Sequence, residues 1–257
     1  MAIKSNINSI RLSSEVVDLL LPSKGFYLPD GIAKDGSITV SPWDHSLDTK
    51  MVEATKKRKI DEIFNIIILH TTNIPRDYVE EVLTGDAIAI SLVARSLRKE
   101  GTVGYTSLCP VCKKEEKESI KLPDELQLLD TGEVNNSFTV TLPIVNDIVE
   151  LRYINLGLVK KAKERERAKL NFGLSLDIIT ILNTIVRIGS TPEDMGAPDT
   201  FEEIYAWFTK LPVSAQVFLE ESATKKQPGY NQNIEHLCSD CGTTFYHYVK
   251  LDDQFFR

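Results

Sequence analysis

Apolar positions change their spacing several times along the chain, and each change predicts a different element. Near the start, Leu21-Pro22-Ser23-Lys24-Gly25 breaks any regular pattern. Asp30-Gly31 and Asp35-Gly36 are turn dipeptides, and Ser37-Ile38-Thr39-Val40 alternates until Pro42 stops it. Residues 1–45 therefore read as an N-terminal arm and a β-hairpin. From about Ser46 to Lys99 the period becomes helical. Leu47, Met51 and Ala54 share one stripe, and Ile60, Ile63, Phe64, Ile67 and Ile68 form a stronger one. Pro75 opens a short helix through Leu83. Asp86 is placed to cap a longer helix whose apolar face holds Ile90, Val93, Ala94 and Leu97. Residues 46–130 are thus a helical region that ends in the first of two cysteine turns.

Residues 131–232 begin with two alternating strands, Phe138-Val140-Leu142 and Ile148-Leu151-Tyr153, joined by a turn over 143–147. The spacing then predicts helices over 156–170, 174–188, 201–210 and 212–225. Asp199 or Thr200 as N-cap, with Glu202 or Glu203 three residues on, forms a capping box, and Pro212 suits the start of the last helix. Residues 233–257 read as a strand pair around the second cysteine turn, followed by a tail ending in Phe255-Phe256-Arg257. The fold class expected is α+β: mostly helical, with short β-hairpins and a discontinuous four-cysteine zinc ribbon joining residues near 109–112 and 238–241.

Composition narrows the classes. The chain has 257 residues, of which 42% are apolar and 26% charged. That suffices for a packed core and excludes a disordered or collagen-like chain. The longest apolar stretches, such as Ile66 to Leu69, fall far below the ~20 residues of a membrane span. No secretory apolar region stands near the N-terminus, so a soluble, cytoplasmic protein is expected. A net charge of −7 argues against nucleic acid as a partner. Two basic clusters run the other way: Lys56-Lys57-Arg58-Lys59, and Lys160, Lys161, Lys163, Arg165, Arg167 and Lys169. The second is interleaved with Glu164 and Glu166 at helical pairing distance, and neither has the aromatic residues that stack on bases.

The strongest chemistry lies in Cys109-Pro-Val-Cys112 and Cys238-Ser-Asp-Cys241. A Cys-x-x-Cys turn sets two thiolates on one side, and two such turns complete a tetrahedral shell. Without a secretory signal, disulfides lack a supporting compartment. Neither pair sits at the strand-to-helix junction of a redox motif. We expect Cys109, Cys112, Cys238 and Cys241 to hold one structural zinc ion, closed to water and substrate. His236 and His247 flank the second turn. Each is an alternative ligand or an ordinary strand residue, and a hydrolase reading would require one of them to replace a cysteine. No Walker A, G-x-S-x-G or H-E-x-x-H motif occurs, so no catalytic residue is assigned and a non-enzyme is expected.

Several motifs, in their order along the chain, resemble those of baseplate hub proteins of T-even-type contractile-tailed bacteriophages, a family of tail-hub subunits and hub-assembly factors. They are Leu21-Pro22-Ser23-Lys24-Gly25 with Tyr27, and Gly85-Asp86 ahead of an apolar helix bearing Arg95 and Arg98. Tyr105 before Cys109-Pro-Val-Cys112, the strand Phe138-x-Val140-x-Leu142-Pro143, and Cys238-x-x-Cys241-Gly242 closing on Phe255-Phe256 follow. The resemblance implies a structural or assembly role in the virion tail baseplate, reached after synthesis in a host bacterial cytoplasm. It implies other hub proteins as partners, with the tape-measure protein as a further candidate. A zinc-ribbon module that binds nucleic acid or accompanies transcription is the alternative left open.

Overall fold

The computed structural model describes residues 16–248 apart from 30, 43–44, 57–59, 98–101, 122–124, 126, 130–133 and 171. The N-terminal arm before residue 16, Lys57-Arg58-Lys59, Arg98 and Phe255-Phe256-Arg257 lie outside the described residues.

Strand β1 (Val17–Leu20) pairs antiparallel with β2 (Ser37–Val40). Helices α1 (His45–Lys56) and α2 (Ile60–Thr71), a 3-10 turn (Arg76–Glu81) and α3 (Thr84–Ser96) follow. They enclose a first core that includes Leu21, Ile38, Met51, Ile67, Ile68 and Ile90. Helix α3 runs through the middle of it: Ala87, Ala89, Ile90, Leu92 and Ala94 are all fully buried. The expected face of Ile90, Val93, Ala94 and Leu97 meets this core, and burial continues around the helix to include the polar Asp86, Ser91 and Arg95.

A second core is built on a three-stranded antiparallel sheet of β5 (Phe138–Thr141), β6 (Ile148–Leu151) and β7 (Ile185–Gly189). Helices α4 (Leu156–Arg167), α5 (Leu176–Leu182), α6 (Phe201–Phe208) and α7 (Val213–Lys225) cover it. The helix expected over 174–188 stops at Leu182. Ile185, Val186 and Ile188 are β-branched, and they complete the sheet as β7 instead. Of the two cap pairs the sequence offers, the structure takes Thr200 with Glu203: Thr200 Oγ1 accepts from Glu203 N at 3.2 Å, and Glu203 Oε2 accepts from Asp199 N at 2.9 Å. The cores join where Thr84 N donates to the Ile154 carbonyl and Leu156 N donates to the Val82 carbonyl.

Two further hairpins stand apart from both sheets. Strand β3 (Thr102–Leu108) pairs with β4 (Glu115–Lys121), and β8 (Asn233–Leu237) pairs with β9 (Thr244–Tyr248). Ile120, Tyr105 and Ile234 seat them on the first core.

These elements correct the expected fold class. Among the described residues there are nine strands in four small antiparallel sheets beside seven α-helices and the 3-10 turn, so the chain is mixed α/β and not mostly helical. Nor do the cysteine segments make one ribbon, since β3–β4 and β8–β9 are separate two-stranded sheets with no ladder between them. The physical reason is that short apolar runs of β-branched residues fit both periods, and tertiary pairing decides between them. No helix among the described residues is long and apolar enough to cross a membrane.

Candidate metal centre and its surroundings

Both cysteine turns have the same backbone. Cys109 N donates to the Lys114 carbonyl and Lys113 N to the Cys109 carbonyl; Cys238 N donates to the Thr243 carbonyl and Gly242 N to the Cys238 carbonyl. The residue after the second cysteine is left-handed in each, with φ of 62° at Lys113 and 69° at Gly242. Glycine adopts that conformation freely, whereas lysine pays roughly 1 kcal/mol for it. The local turn thus presents both sulfurs of a pair in one direction.

The hairpins bring these turns together. Cys109 Sγ lies 3.6 Å from Cys241 Sγ, and Cys112 Sγ lies 3.5 Å from Cys238 Sγ, so each short contact crosses between hairpins. All four sulfurs lie within 4.8 Å of one another. A tetrahedral ion with bonds of about 2.3 Å to sulfur requires sulfurs about 3.8 Å apart. A disulfide needs about 2.05 Å. The spacing fits four ligands of one ion. Cys109 and Cys238 are buried, while Cys112 and Cys241 face solvent.

The thiols are strongly unequal. The Thr243 hydroxyl, then its backbone N–H, pulls Cys241 down to about 6. A backbone N–H at Lys114 favours the Cys112 thiolate. Desolvation and hydrogen bonding with Cys238, Cys109 and Cys241 nevertheless push Cys112 up to about 12. Four close sulfurs cannot all carry charge unaided, and a divalent cation removes that conflict by neutralising them.

Lys114 and Glu116 lock the turns to each other. Glu116 Oε1 accepts from Ser239 N at 3.1 Å and from Ser239 Oγ, and Lys114 Nζ donates to Ser239 Oγ at 2.8 Å. These donors, Ser239 first, hold the Glu116 carboxyl below its ordinary value. Deeper between the hairpins, Tyr105 Oη is hydrogen-bonded to His236 Nε2 at 3.0 Å, and its ring stacks on His247 at 4.4 Å. His236 and His247 therefore sit behind the four sulfurs, which form a complete set without them. His70 is exposed, with Nε2 3.4 Å from Lys50 Nζ.

A second cluster went unread in the sequence. Asp86, placed as a cap, lies inside α3 behind the cap residue Leu83 and is fully buried. Its carboxylate accepts from Ser23 N at 3.0 Å, from Ser23 Oγ, and from Tyr27 Oη at 2.7 Å. Burial raises Asp86 to about 6 against the lowering effect of those donors. Gly85 beside it touches the chain at Pro228, where an added Cβ would come 1.7 Å from the carbonyl oxygen. The basic helix α4 faces protein in part: Lys160 Nζ meets Glu80 at 2.5 Å, and Arg165 lies 4.1 Å over the Phe201 ring and 3.7 Å from Glu202. Trp207 donates from Nε1 to Asp147 at 3.0 Å, so this aromatic is engaged within the second core.

A cleft opens beside Thr84 and Ile154. Its volume is about 610 Å³, and its walls include Ile154, Val159, Leu176, Asp177 and Glu220.

No family model, curated protein or solved structure matches this chain.

Proposed function

We propose that the chain is a non-enzymatic structural or assembly component of a contractile-tailed phage baseplate hub, and that its four cysteines hold one structural zinc ion. The observation that carries the reading is the clasp itself. Four sulfurs from two hairpins converge within 4.8 Å, and the strands around them expose Leu108, Val111, Leu237, Tyr246 and Tyr248. Apolar side chains exposed together on a rigid, ion-braced support favour a protein partner. Four soft donors at tetrahedral spacing favour zinc, with iron as the other ion of such sets. A closed four-sulfur shell offers no position to a substrate, which favours scaffolding over catalysis. The likeness in motifs adds to this, because Ser23, Tyr27 and Asp86, which belong to two separate stretches of it, meet in one hydrogen-bonded group.

Two measurements test the reading. Mass spectrometry of the purified chain should find one zinc per chain, lost in either the Cys109→Ser/Cys112→Ser or the Cys238→Ser/Cys241→Ser double variant. Co-expression with the tail-hub and tape-measure proteins of the genome that encodes it should give a defined complex on size-exclusion chromatography. A chain that stays monomeric with each of them removes the hub assignment, whatever its metal content.

A further inference from the structure

The face between the two cysteine hairpins carries donors that the sulfur cluster does not use. Side chains alternate along a strand, so Glu116, Glu118 and Ile120 point to one side of β4. Along that side Ile120 is buried against the first core, Glu116 is half-buried and Glu118 is exposed. His236 of β8 meets the two glutamates there. One oxygen of each carboxylate and one ring nitrogen lie within 4.8 Å of one another. Like charges on one strand face repel, yet these two carboxylates converge beside an imidazole.

We infer that Glu116, Glu118 and His236 bind a second divalent first-row cation, separate from the ion of the four cysteines. Two of the three donors are held by neighbours. Glu116 uses Oε1 to hold Ser239, with Lys114 Nζ 3.8 Å from the same oxygen, so Oε2 is the oxygen left for an ion. Tyr105 is hydrogen-bonded to Nε2 of His236, so coordination through Nδ1 keeps that bond intact. A partner on the second ring nitrogen is the usual means of fixing a metal-bound histidine. Two carboxylates and one imidazole are harder donors than thiolates, which suits manganese, cobalt or zinc with water in the remaining positions. The site therefore differs in kind from its neighbour, being open where the sulfur cluster is closed.

The inference shares the hairpins with the proposed zinc clasp, so the test reads the two sites separately. Zinc-loaded protein is titrated with Co²⁺ and followed by calorimetry and visible absorption, and its zinc content is measured afterwards. One cobalt per chain is expected, with the weak absorption of oxygen and nitrogen ligation and with zinc retained. Glu118→Gln and His236→Ala should each weaken cobalt binding tenfold or more. Glu115→Gln, which removes a carboxylate from the opposite side of the same strand, should leave it unchanged. The inference is overturned if no cobalt binds, or if all three variants bind it like the parent chain. It is also overturned if cobalt appears only with an intense sulfur charge-transfer band and loss of zinc. Should the cysteines prove to hold no zinc, the clasp fails alone, and cobalt binding that depends on Glu118 and His236 still decides the second site.

Discussion

Ser23 reaches Asp86 across 63 positions of sequence inside a packed core, whereas Cys112 meets Cys238 across 126 positions on hairpins whose outer faces are exposed. Around Asp86, Leu21, Ile67, Ile68 and Ile90 supply the burial that brings distant segments together, and the hydrogen bonds then fix their register. Around the cysteines, Ile120, Tyr105 and Ile234 seat the hairpins on the core, but Leu108, Val111 and Leu237 beside the sulfurs remain in water. Hydrophobic burial scales with apolar area removed from water, so the second region has much less of it to draw on. An ion bound by the four cysteines would make good the shortfall, because a metal site absent from the unfolded chain turns binding energy into folding energy. One region is held by its apolar bulk, and the other has four sulfurs placed for an ion to hold it.

Removing the ion should separate the two regions most sharply. Chelation, or Cys238→Ser, withdraws metal-linked free energy on the order of 10 kcal/mol. Amide hydrogen exchange should then speed up throughout β3, β4, β8 and β9 while α3 stays protected. Equal loss of protection in α3 would show that the core also depends on the metal.

Truncation in the first core should act the other way. Ile90→Ala leaves a cavity at a fully buried position and should cost about 2–5 kcal/mol of unfolding free energy in denaturant titrations. Metal stoichiometry should not change.

Asp86 gives that core a pH signature. Its native pKa of about 6 lies above its ordinary 3.8, so between those values the folded state binds the proton that the unfolded state has released. The contribution of this group is complete below about pH 4 and is lost as pH rises through 6, a change of about 3 kcal/mol. Stability measured from pH 4 to 7 should carry this downward component, and Asp86→Asn should flatten it.

The smallest effect belongs to the capping box. Thr200→Ala removes the acceptor for Glu203 N and should cost about 1 kcal/mol, read as a small drop in melting temperature with the metal unaffected.

What the sequence revealed divides along the same line. The cysteine turns were legible because Cys-x-x-Cys names its own chemistry, and Thr200 with Glu203 because a cap is complete within four residues. Strand β7 was not, since Ile185, Val186 and Ile188 satisfy a helical stripe until β6 claims them. Asp86 looked like a cap because it precedes an apolar run. Only the fold brings Ser23 and Tyr27 to it, and no local spacing encodes that meeting. Glu116 and Glu118 were likewise ordinary polar residues of one strand, and His236 was weighed only as a substitute for a cysteine, until the hairpins faced each other. Lys113 was missed as the counterpart of Gly242, because composition hides a left-handed turn when glycine is not used.

The crossing of sulfur contacts between hairpins also sets a time order. Cys109 and Cys112 leave the ribosome well before Cys238 exists, and at about 5–20 residues per second the wait is on the order of ten seconds. During synthesis the first pair can offer an ion only half a shell. The complete set of four sulfurs exists only when the later hairpin has been made and has swung against the earlier one, so uptake of an ion there would record that this long stretch of chain has been translated and folded back.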